Sequence, residues 1–442
     1  MSSAQRRMHL GVFVLGSGNH IAGWRWDGAF TTHMELPVMQ EIARIAERGK
    51  FDLVFISDSM VMDPTDHPSF LCRFEPTTLI TALSGCTNHV GLGATVSTSF
   101  NEPFNVARIF GSIDHISGGR AAWNVVTTSN TRAAANYGLD AHLDHELRYA
   151  RADEFVDVVR GLWDCWEDGP IVANKATGRY VDPDKVRPLN HQGRFFKVKG
   201  PINMARAPQG HPVIIQAGGS PSGLELAART ADVVFSVVQE LAPAKAAYAD
   251  LKGRMAKYGR SPDDLAVLPG VMPIVGTSDA EAREKLAKLQ SWVDPTNAIT
   301  LVASRIGYDV TGHDLDAPPP PPPPSQGGRT FNSVLYELAK RENMTLRDLY
   351  NLTAAARGHW VVCGTPKTIA DTFEQWFVEH AADGFNILPA HFPGAFDEFV
   401  DLVVPELQRR GLFRQDYEGT TLRDHLGLAR VPAPARQLQA GE

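Results

Sequence analysis

The apolar run Ala121-Ala122-Trp123-Asn124-Val125-Val126 carries one amide in its middle and ends on three hydroxyls, Thr127-Thr128-Ser129, with Gly118-Gly119 opening it as a turn. It reads as a buried strand. A buried amide left unpaired costs about 1–3 kcal/mol, so Asn124 needs a partner. Polar groups at the C-terminal end of a buried parallel strand are where α/β barrels place their chemistry. From these residues alone, a satisfied core Asn and an ordinary Ser/Thr turn read equally well. A second stretch, Gly218-Gly219-Ser220-Pro221-Ser222-Gly223, follows the run Val213–Gln216 and opens a helix. Glycines let backbone approach an anion, and a helix N-terminus offers free N–H groups and positive potential. The hydroxyls of Ser220 and Ser222 can add hydrogen bonds. A plain strand-to-helix turn with an N-cap is the competing reading. Asp58 ends Phe55-Ile56-Ser57-Asp58 and is either a loop cap or a group that holds a ligand; His20 stands alone in the loop after the first strand.

Other chemistries lack their residues. Gly16-Ser17-Gly18 and Gly91-Leu92-Gly93 do not complete a G-x-G-x-x-G, so no Rossmann nicotinamide site is expected. His142-Leu143-Asp144-His145-Glu146 lacks the H-E-x-x-H pattern, and no metal site is expected. No Gly-x-Ser-x-Gly elbow supports a serine hydrolase. The 442 residues carry a net charge of −7 without a basic run, against a nucleic-acid partner. Cys72, Cys86, Cys165 and Cys363 lie far apart with no C-x-x-C, as expected of reduced, mostly buried thiols in a cytoplasmic protein. Met1–His9 is short and polar, unlike a signal peptide. No run of about 18 apolar residues predicts a membrane span.

The elements that position these residues alternate between short apolar strands and amphipathic helices, the pattern of a parallel sheet. Strands are predicted at Leu10–Val14, Leu53–Ile56, Val90–Val96, Ala121–Val126, Val213–Gln216, Val233–Val237, Val267–Val275 and Phe385–Leu388. Eight strands of this kind predict a (β/α)8 TIM barrel. Leu36, Met39, Ile42, Ala43 and Ala46 share one helix face that Gly49 ends, and Phe155, Val159, Leu162, Trp163 and Trp166 form another stripe. Ser278 with Glu281 predicts a capping box, and Thr365-Pro366 an N-cap and first turn. Two connections exceed a minimal barrel, with insertions after the fourth strand (about 129–211) and the seventh (about 292–365). The second contains Pro318–Pro324, read as a semi-rigid, solvated spacer that is mobile without ligand. The expected organisation is one domain over 1–430 and a flexible tail over 431–442.

Gly-Gly-Arg-x-x-Trp-Asn-Val-Val-Thr at Gly118–Thr127 resembles the fourth-strand motif of flavin-dependent monooxygenases of the bacterial luciferase superfamily. The resemblance is to the group of nitrilotriacetate and dibenzothiophene sulfone monooxygenases. Further segments resemble that group in order: Glu47–Phe55, Gly91–Ser97, Arg148–Phe155, Gln216–Gly223, Ala382–Phe385 and Thr421–Leu428. The resemblance implies a two-component enzyme that takes reduced FMN from a separate flavin reductase, with dioxygen, and oxygenates a small organic substrate. Organosulfur compounds, aminopolycarboxylates and halogenated aromatics are the substrate classes it implies, in a homodimer or homotetramer. It implies that Gly219, Ser220, Ser222, Gly223 and Tyr149 hold the FMN phosphate. Asp58, Thr95, Ser97, Asn124 and Thr128 are implied to line the flavin. Thr128 is the hydroxyl expected to hydrogen-bond activated oxygen, with Ser129 as the competing choice. His20 matches an active-site His, as proton donor or substrate contact. A second active-site His of the group falls on Arg305, which would favour an anionic substrate. Two other classes stay open: a deazaflavin-dependent dehydrogenase on the same barrel, and a non-catalytic flavin-binding protein.

Overall fold

The computed structural model describes residues 6–64, 68–322 and 330–433. Its centre is eight strands: β1 (His9–Val14), β2 (Leu53–Ile56), β3 (Gly91–Ser97), β4 (Ala121–Val126), β5 (Val213–Gln216), β6 (Val233–Ser236), β7 (Ala266–Val275) and β8 (Gly384–Ile387). Neighbours pair in chain order, and β8 pairs with β1, so the sheet closes on itself. Every one of these pairings is parallel. Parallel neighbours need a crossover between them, and helices supply it. These include α1 (Leu36–Arg48), α2 (Pro76–Ser84), α3 (Pro103–Ser117), α4 (His145–Trp163), α5 (Pro221–Thr230) and α6 (Leu241–Met255). The predicted (β/α)8 barrel is the fold observed, with each strand boundary within two residues of its predicted place.

The helices start where the chain offers caps. Ser220 caps α5 by accepting from the Gly223 N–H, with Pro221 in the first turn. Thr365 caps Pro366–Val378 in the same way. The predicted box at Ser278 is half formed: Ser278 accepts from the Glu281 N–H, but the Glu281 carboxylate takes the Thr277 N–H instead. The α1 stripe is buried from Met39 onward, whereas Leu36, the first residue of the helix, is exposed. The thiols also depart from expectation: only Cys165 is buried, Cys86 and Cys363 are half-buried and Cys72 is exposed.

Side chains alternate in and out along each strand. Phe13, Leu53, Phe55, Ala122, Val213, Ile215, Val233 and Leu268 fill one apolar cluster, and the outward residues pack under the helices in another. Leu422 and Leu426, from the short helix Leu422–His425 and the residue after it, join the first cluster. Arg423 of that helix forms a buried ion pair with Asp232 at 2.8 Å. This segment belongs to the N-terminal end of the barrel: Leu422 donates its N–H to the Gly119 carbonyl, ahead of β4.

The connection from β4 to β5 carries α4 and two small antiparallel hairpins, Ile171–Asn174 with Arg179–Val181 and His191–Gln192 with Lys197–Val198. The connection from β7 to β8 carries α7 (Asp279–Ser291), α8 (Pro295–Ile306), α9 (Thr330–Arg341), α10 (Leu346–Ala356) and α11 (Pro366–Val378). It also carries an unpredicted strand, Trp360–Gly364, paired parallel to Val271–Val275 of β7. Within the proline run, the Pro320 carbonyl accepts from the Tyr308 hydroxyl at 2.6 Å; Pro323 and Pro324 lie outside the described residues, as does the tail from 434. Among the described residues no helix is long and apolar enough to cross a membrane.

Candidate active site

The strand register builds a polar wall at the C-terminal end of β3 and β4. Thr95 stands opposite Asn124. The Asn124 amide donates to Thr95 Oγ1 at 2.9 Å, and Thr95 donates in turn to the Ile56 carbonyl at 3.0 Å. Both side chains are buried, yet Asn124 Oδ1 has no hydrogen-bond partner among the described residues. An orphaned buried acceptor is costly and is the feature a bound N–H or O–H would satisfy. Two residues up, Ser97 Oγ and Thr128 Oγ1 lie 2.6 Å apart, and Ser97 also accepts from the Ser99 N–H. If Ser97 donates to Thr128, the Thr128 hydrogen is left for a ligand. Thr128 takes φ 51°, a left-handed conformation that is strained for a β-branched residue. Its carbonyl is held by His142 Nε2 at 2.8 Å and by the Arg148 guanidinium. Ser129 is exposed beyond this network. Asp58 is half-buried at the end of β2 and accepts from the Ser59 N–H; burial raises its carboxyl pKa, opposed by that N–H and by Arg73.

The glycine loop lies against α4. A Cβ on Gly218 would come within 3.0 Å of the Tyr149 hydroxyl and 3.1 Å of Gly223 Cα, and one on Gly223 within 3.0 Å of the same hydroxyl. Glycine at both positions leaves room for this approach of loop, helix start and phenol. At Gly219 a Cβ would meet nothing within 4 Å, so the loop is open on that side. The α5 N-terminus, the Ser220 cap and the Tyr149 hydroxyl thus lie together at the loop where the sequence predicts an anion cradle. Ser222 is turned away from it and donates to Glu146 at 3.2 and 3.3 Å. Arg148, one residue before Tyr149, ties the cradle to the polar wall through the Thr128 carbonyl.

Inside the barrel, Phe13, Phe55 and Phe235 make a triangle with centroids 5.2, 5.5 and 5.8 Å apart. His20 is locked between the loops after β1 and β8 by its N–H to the Ala390 carbonyl. Its Nδ1 accepts from the Ala22 N–H at 3.1 Å, which places the proton of a neutral ring on Nε2. That Nε2 is buried without a partner among the described residues. Burial, reinforced by His391, pushes the His20 pKa down to about 3. His20 is therefore a neutral N–H donor at ordinary pH rather than a source of protons. His391, after β8, stacks on Trp26 with centroids 5.1 Å apart. The structure joins Thr95, Ser97, Asn124 and Thr128 in one wall and Tyr149, Gly218, Ser220 and Gly223 in one cradle; no hydrogen bond described here joins His20 to either. The side chain of Arg305 lies outside the described residues. Among those residues no cluster of metal-ligating side chains occurs.

Sequence reasoning missed the three phenylalanines, Arg148 and His391. The phenylalanines were accessible as inward positions of three strands. For His391 no local pattern marks the role.

A family model described as "Luciferase-like monooxygenase" matches residues 8–384. The chain belongs to that family. It is accordingly a monooxygenase, on a barrel whose C-terminal mouth carries the wall and cradle above. It is 48% identical to nitrilotriacetate monooxygenase component A of Aminobacter aminovorans, over 97% of this chain and 98% of that one. It is 40% identical, over the same shares, to the dibenzothiophene-sulfone monooxygenase of Rhodococcus erythropolis strain XP. The structure is similar to that of EDTA monooxygenase from Chelativorans sp. BNC1, with a TM-score of 0.82, 33% identity, and 97% and 100% of the two chains covered. The group resemblance drawn from the fourth-strand motif is thus borne out along the whole length.

Proposed function

We propose that this luciferase-like monooxygenase is the oxygenase component of a two-component system. It takes reduced FMN from a separate flavin reductase and uses dioxygen to oxygenate a small organic substrate. The observation that carries this reading is the cradle of Tyr149, Gly218, Ser220 and Gly223, joined through Arg148 to a wall with an orphaned acceptor at Asn124. A phosphate fits the first and a polar ring edge or ribityl hydroxyl the second. Bound reduced FMN supplies the two electrons by which one oxygen atom goes to the substrate and the other leaves as water.

The residues of this chain do the rest. The α5 N-terminus and Ser220 hold the phosphate by N–H groups and helix polarity. Thr95 and Asn124 would hold polar atoms of the ring, and the Phe13–Phe55–Phe235 triangle would supply apolar surface beside them. Asp58 stands at the rim of that wall. Thr128, backed by Ser97, holds a hydroxyl donor where negative charge develops on oxygen, and such preorganised donors matter most in a water-poor site. His20 offers a second, neutral N–H donor, and Ser129 remains the alternative hydroxyl. The assay is direct: incubate the protein with a flavin reductase, FMN, NADH and air, and follow oxygenated product by mass spectrometry with labelled dioxygen. One labelled oxygen atom should appear in the product. Labelled hydrogen peroxide alone, across organosulfur, aminopolycarboxylate and halogenated aromatic substrates, would refute the oxygenase reading.

A further inference from the structure

Non-glycine residues with positive φ are rare, and among the described residues they number seven: Lys50, Thr128, Ala173, Asn190, Asn343, Arg357 and His380. Thr128 is the β-branched member of that set, the residue type that resists this conformation most. It is also the residue whose hydroxyl the reading above assigns to activated oxygen. A threonine stays left-handed only where its surroundings over-determine it. Here three consecutive carbonyls are tied down. Val126 accepts from the Thr98 N–H at 2.9 Å and from the Thr98 hydroxyl at 3.2 Å. Thr127 accepts from the Ser99 hydroxyl at 2.9 Å. Thr128 accepts from His142 and Arg148. The loop after β3 fixes the first two carbonyls, and the chain entering α4 fixes the third.

His142 is built as a fixed donor. Its Nδ1 accepts from the Leu143 N–H at 3.0 Å, which places the proton of the neutral ring on Nε2. Nε2 donates that proton to the Thr128 carbonyl at 2.8 Å. The ring stacks on Phe100, of the loop after β3, with centroids 5.0 Å apart. Phe100 stacks in turn on Tyr137, with centroids 4.4 Å apart and planes at 8°. The tautomer and the plane of the imidazole are thus both set before any ligand arrives, as a preorganised donor requires. No metal-ligating cluster among the described residues claims this ring. Its bond to Thr128 is what opposes the backbone's preference for negative φ. Release of the bond would let the Thr128 peptide rotate and carry Oγ1 away from Ser97 Oγ, which now lies 2.6 Å from it.

We propose that His142 is a positioning residue for the oxygenation: it keeps Thr128 left-handed, so that the Thr128 hydroxyl stays on Ser97 and in place for activated oxygen. This rests on the oxygenase reading above and on the role given there to Thr128. The variants are His142→Phe, which keeps the stack and removes the N–H, and His142→Gln, which returns an amide N–H near the place of Nε2. Thr128→Val and the double variant His142→Phe, Thr128→Val complete the set. Crystal structures of the flavin-free proteins give the first readout. Thr128 should turn to negative φ and leave Ser97 in His142→Phe, and stay as it is in His142→Gln. The second readout is product formed per dioxygen consumed in the reductase-coupled reaction, with whichever of nitrilotriacetate and dibenzothiophene sulfone wild type oxygenates better. His142→Phe should lower that yield about 5-fold or more, with hydrogen peroxide in its place. KM and FMN affinity should stay within about twofold of wild type. His142→Gln should recover most of the yield. On the Thr128→Val background, His142→Phe should change the yield less than about twofold, because two residues acting through one group are not additive. The proposal is overturned if Thr128 keeps its conformation in His142→Phe, or if that variant couples as wild type does. It is equally overturned if His142→Phe costs Thr128→Val as much as it costs wild type, or if Tm and FMN binding collapse in both His142 variants. Uncoupling in Thr128→Val without uncoupling in His142→Phe would sink this proposal alone. Normal coupling in Thr128→Val would sink the role of Thr128, and this proposal with it.

Discussion

Thr128 is strained and hydrogen-bonded at once, and that makes its hydroxyl testable in isolation. Valine has the same branched shape and meets the same resistance at φ 51°, so Thr128→Val removes the donor while leaving the strain nearly constant. We expect FMN affinity within a few-fold of wild type, an oxygenation rate lower by on the order of 10²-fold, and hydrogen peroxide released in place of product. Thr128→Ser should keep most of the activity. Product yield against oxygen consumed is the measurement. Normal coupling in Thr128→Val with uncoupling in Ser129→Ala would move the role to Ser129, and normal coupling in both would leave His20 as the next donor to test. The polar wall was legible because a strand's periodicity of two puts Thr95, Ser97 and Asn124 inward, and because hydroxyls cluster where β4 ends. His391 was not, since it stands in a loop whose local sequence follows neither period.

At the level of elements, the cradle depends on α4 and the start of α5 approaching without a side chain between them. Gly218→Ala would place a methyl group about 3.0 Å from the Tyr149 hydroxyl. Overpacking of that kind costs roughly 1–3 kcal/mol, so FMN should bind about 10-fold or more weakly, while riboflavin, which lacks the phosphate, should be affected less. Tyr149→Phe should also weaken FMN. Because the two changes act on one contact, the double variant should lose less than the sum of the singles. Fluorescence titration of the four proteins decides it, and strict additivity would mean that tyrosine and glycine do not share a ligand. The glycine loop and the eight strands could be read from the chain because each is bounded by its own turn signals. The strand Trp360–Gly364 could not, because it lies inside the insertion and exists only through its pairing with the upper half of β7, a ten-residue strand that outruns the barrel. The half-formed capping box at Ser278 shows the same limit on a smaller scale. Residue types and spacing allow the Glu281 carboxylate two neighbouring N–H groups, and only geometry chooses Thr277.

The whole molecule carries buried neutral imidazoles near both ends of its barrel, and this sets how it should respond to acid. His20 and His391 sit by the mouth. His425 belongs to the closing segment near β1 and β2, its carbonyl accepting from Arg414, which also pairs with the buried Asp52. Burial, then the nearby His391 ring, pushes His20 down to about 3. Burial, then Lys285, pushes His391 to about 4, and burial, then Arg414, pushes His425 to about 4. In the unfolded chain each returns to the ordinary value near 6.5. Between pH 6.5 and 4 the unfolded state therefore binds more protons than the folded one, and stability must fall as pH falls. The stabilisation from a neutral buried ring is complete above 6.5. By pH 5 each ring should have cost about 2 kcal/mol, with Asp114, whose carboxyl burial raises, acting in the opposite sense. Urea unfolding at pH 7.5, 6.5, 5.5 and 5.0 should show the free energy dropping steadily over this window. The triple variant His20→Gln, His391→Gln, His425→Gln should be less stable at pH 7.5 but show a much flatter profile below 6.5. A wild-type profile that is level from 7.5 to 5.0, or a triple variant with the same slope, would show that these rings take up protons in the folded barrel and that its ends are wetter than their packing implies.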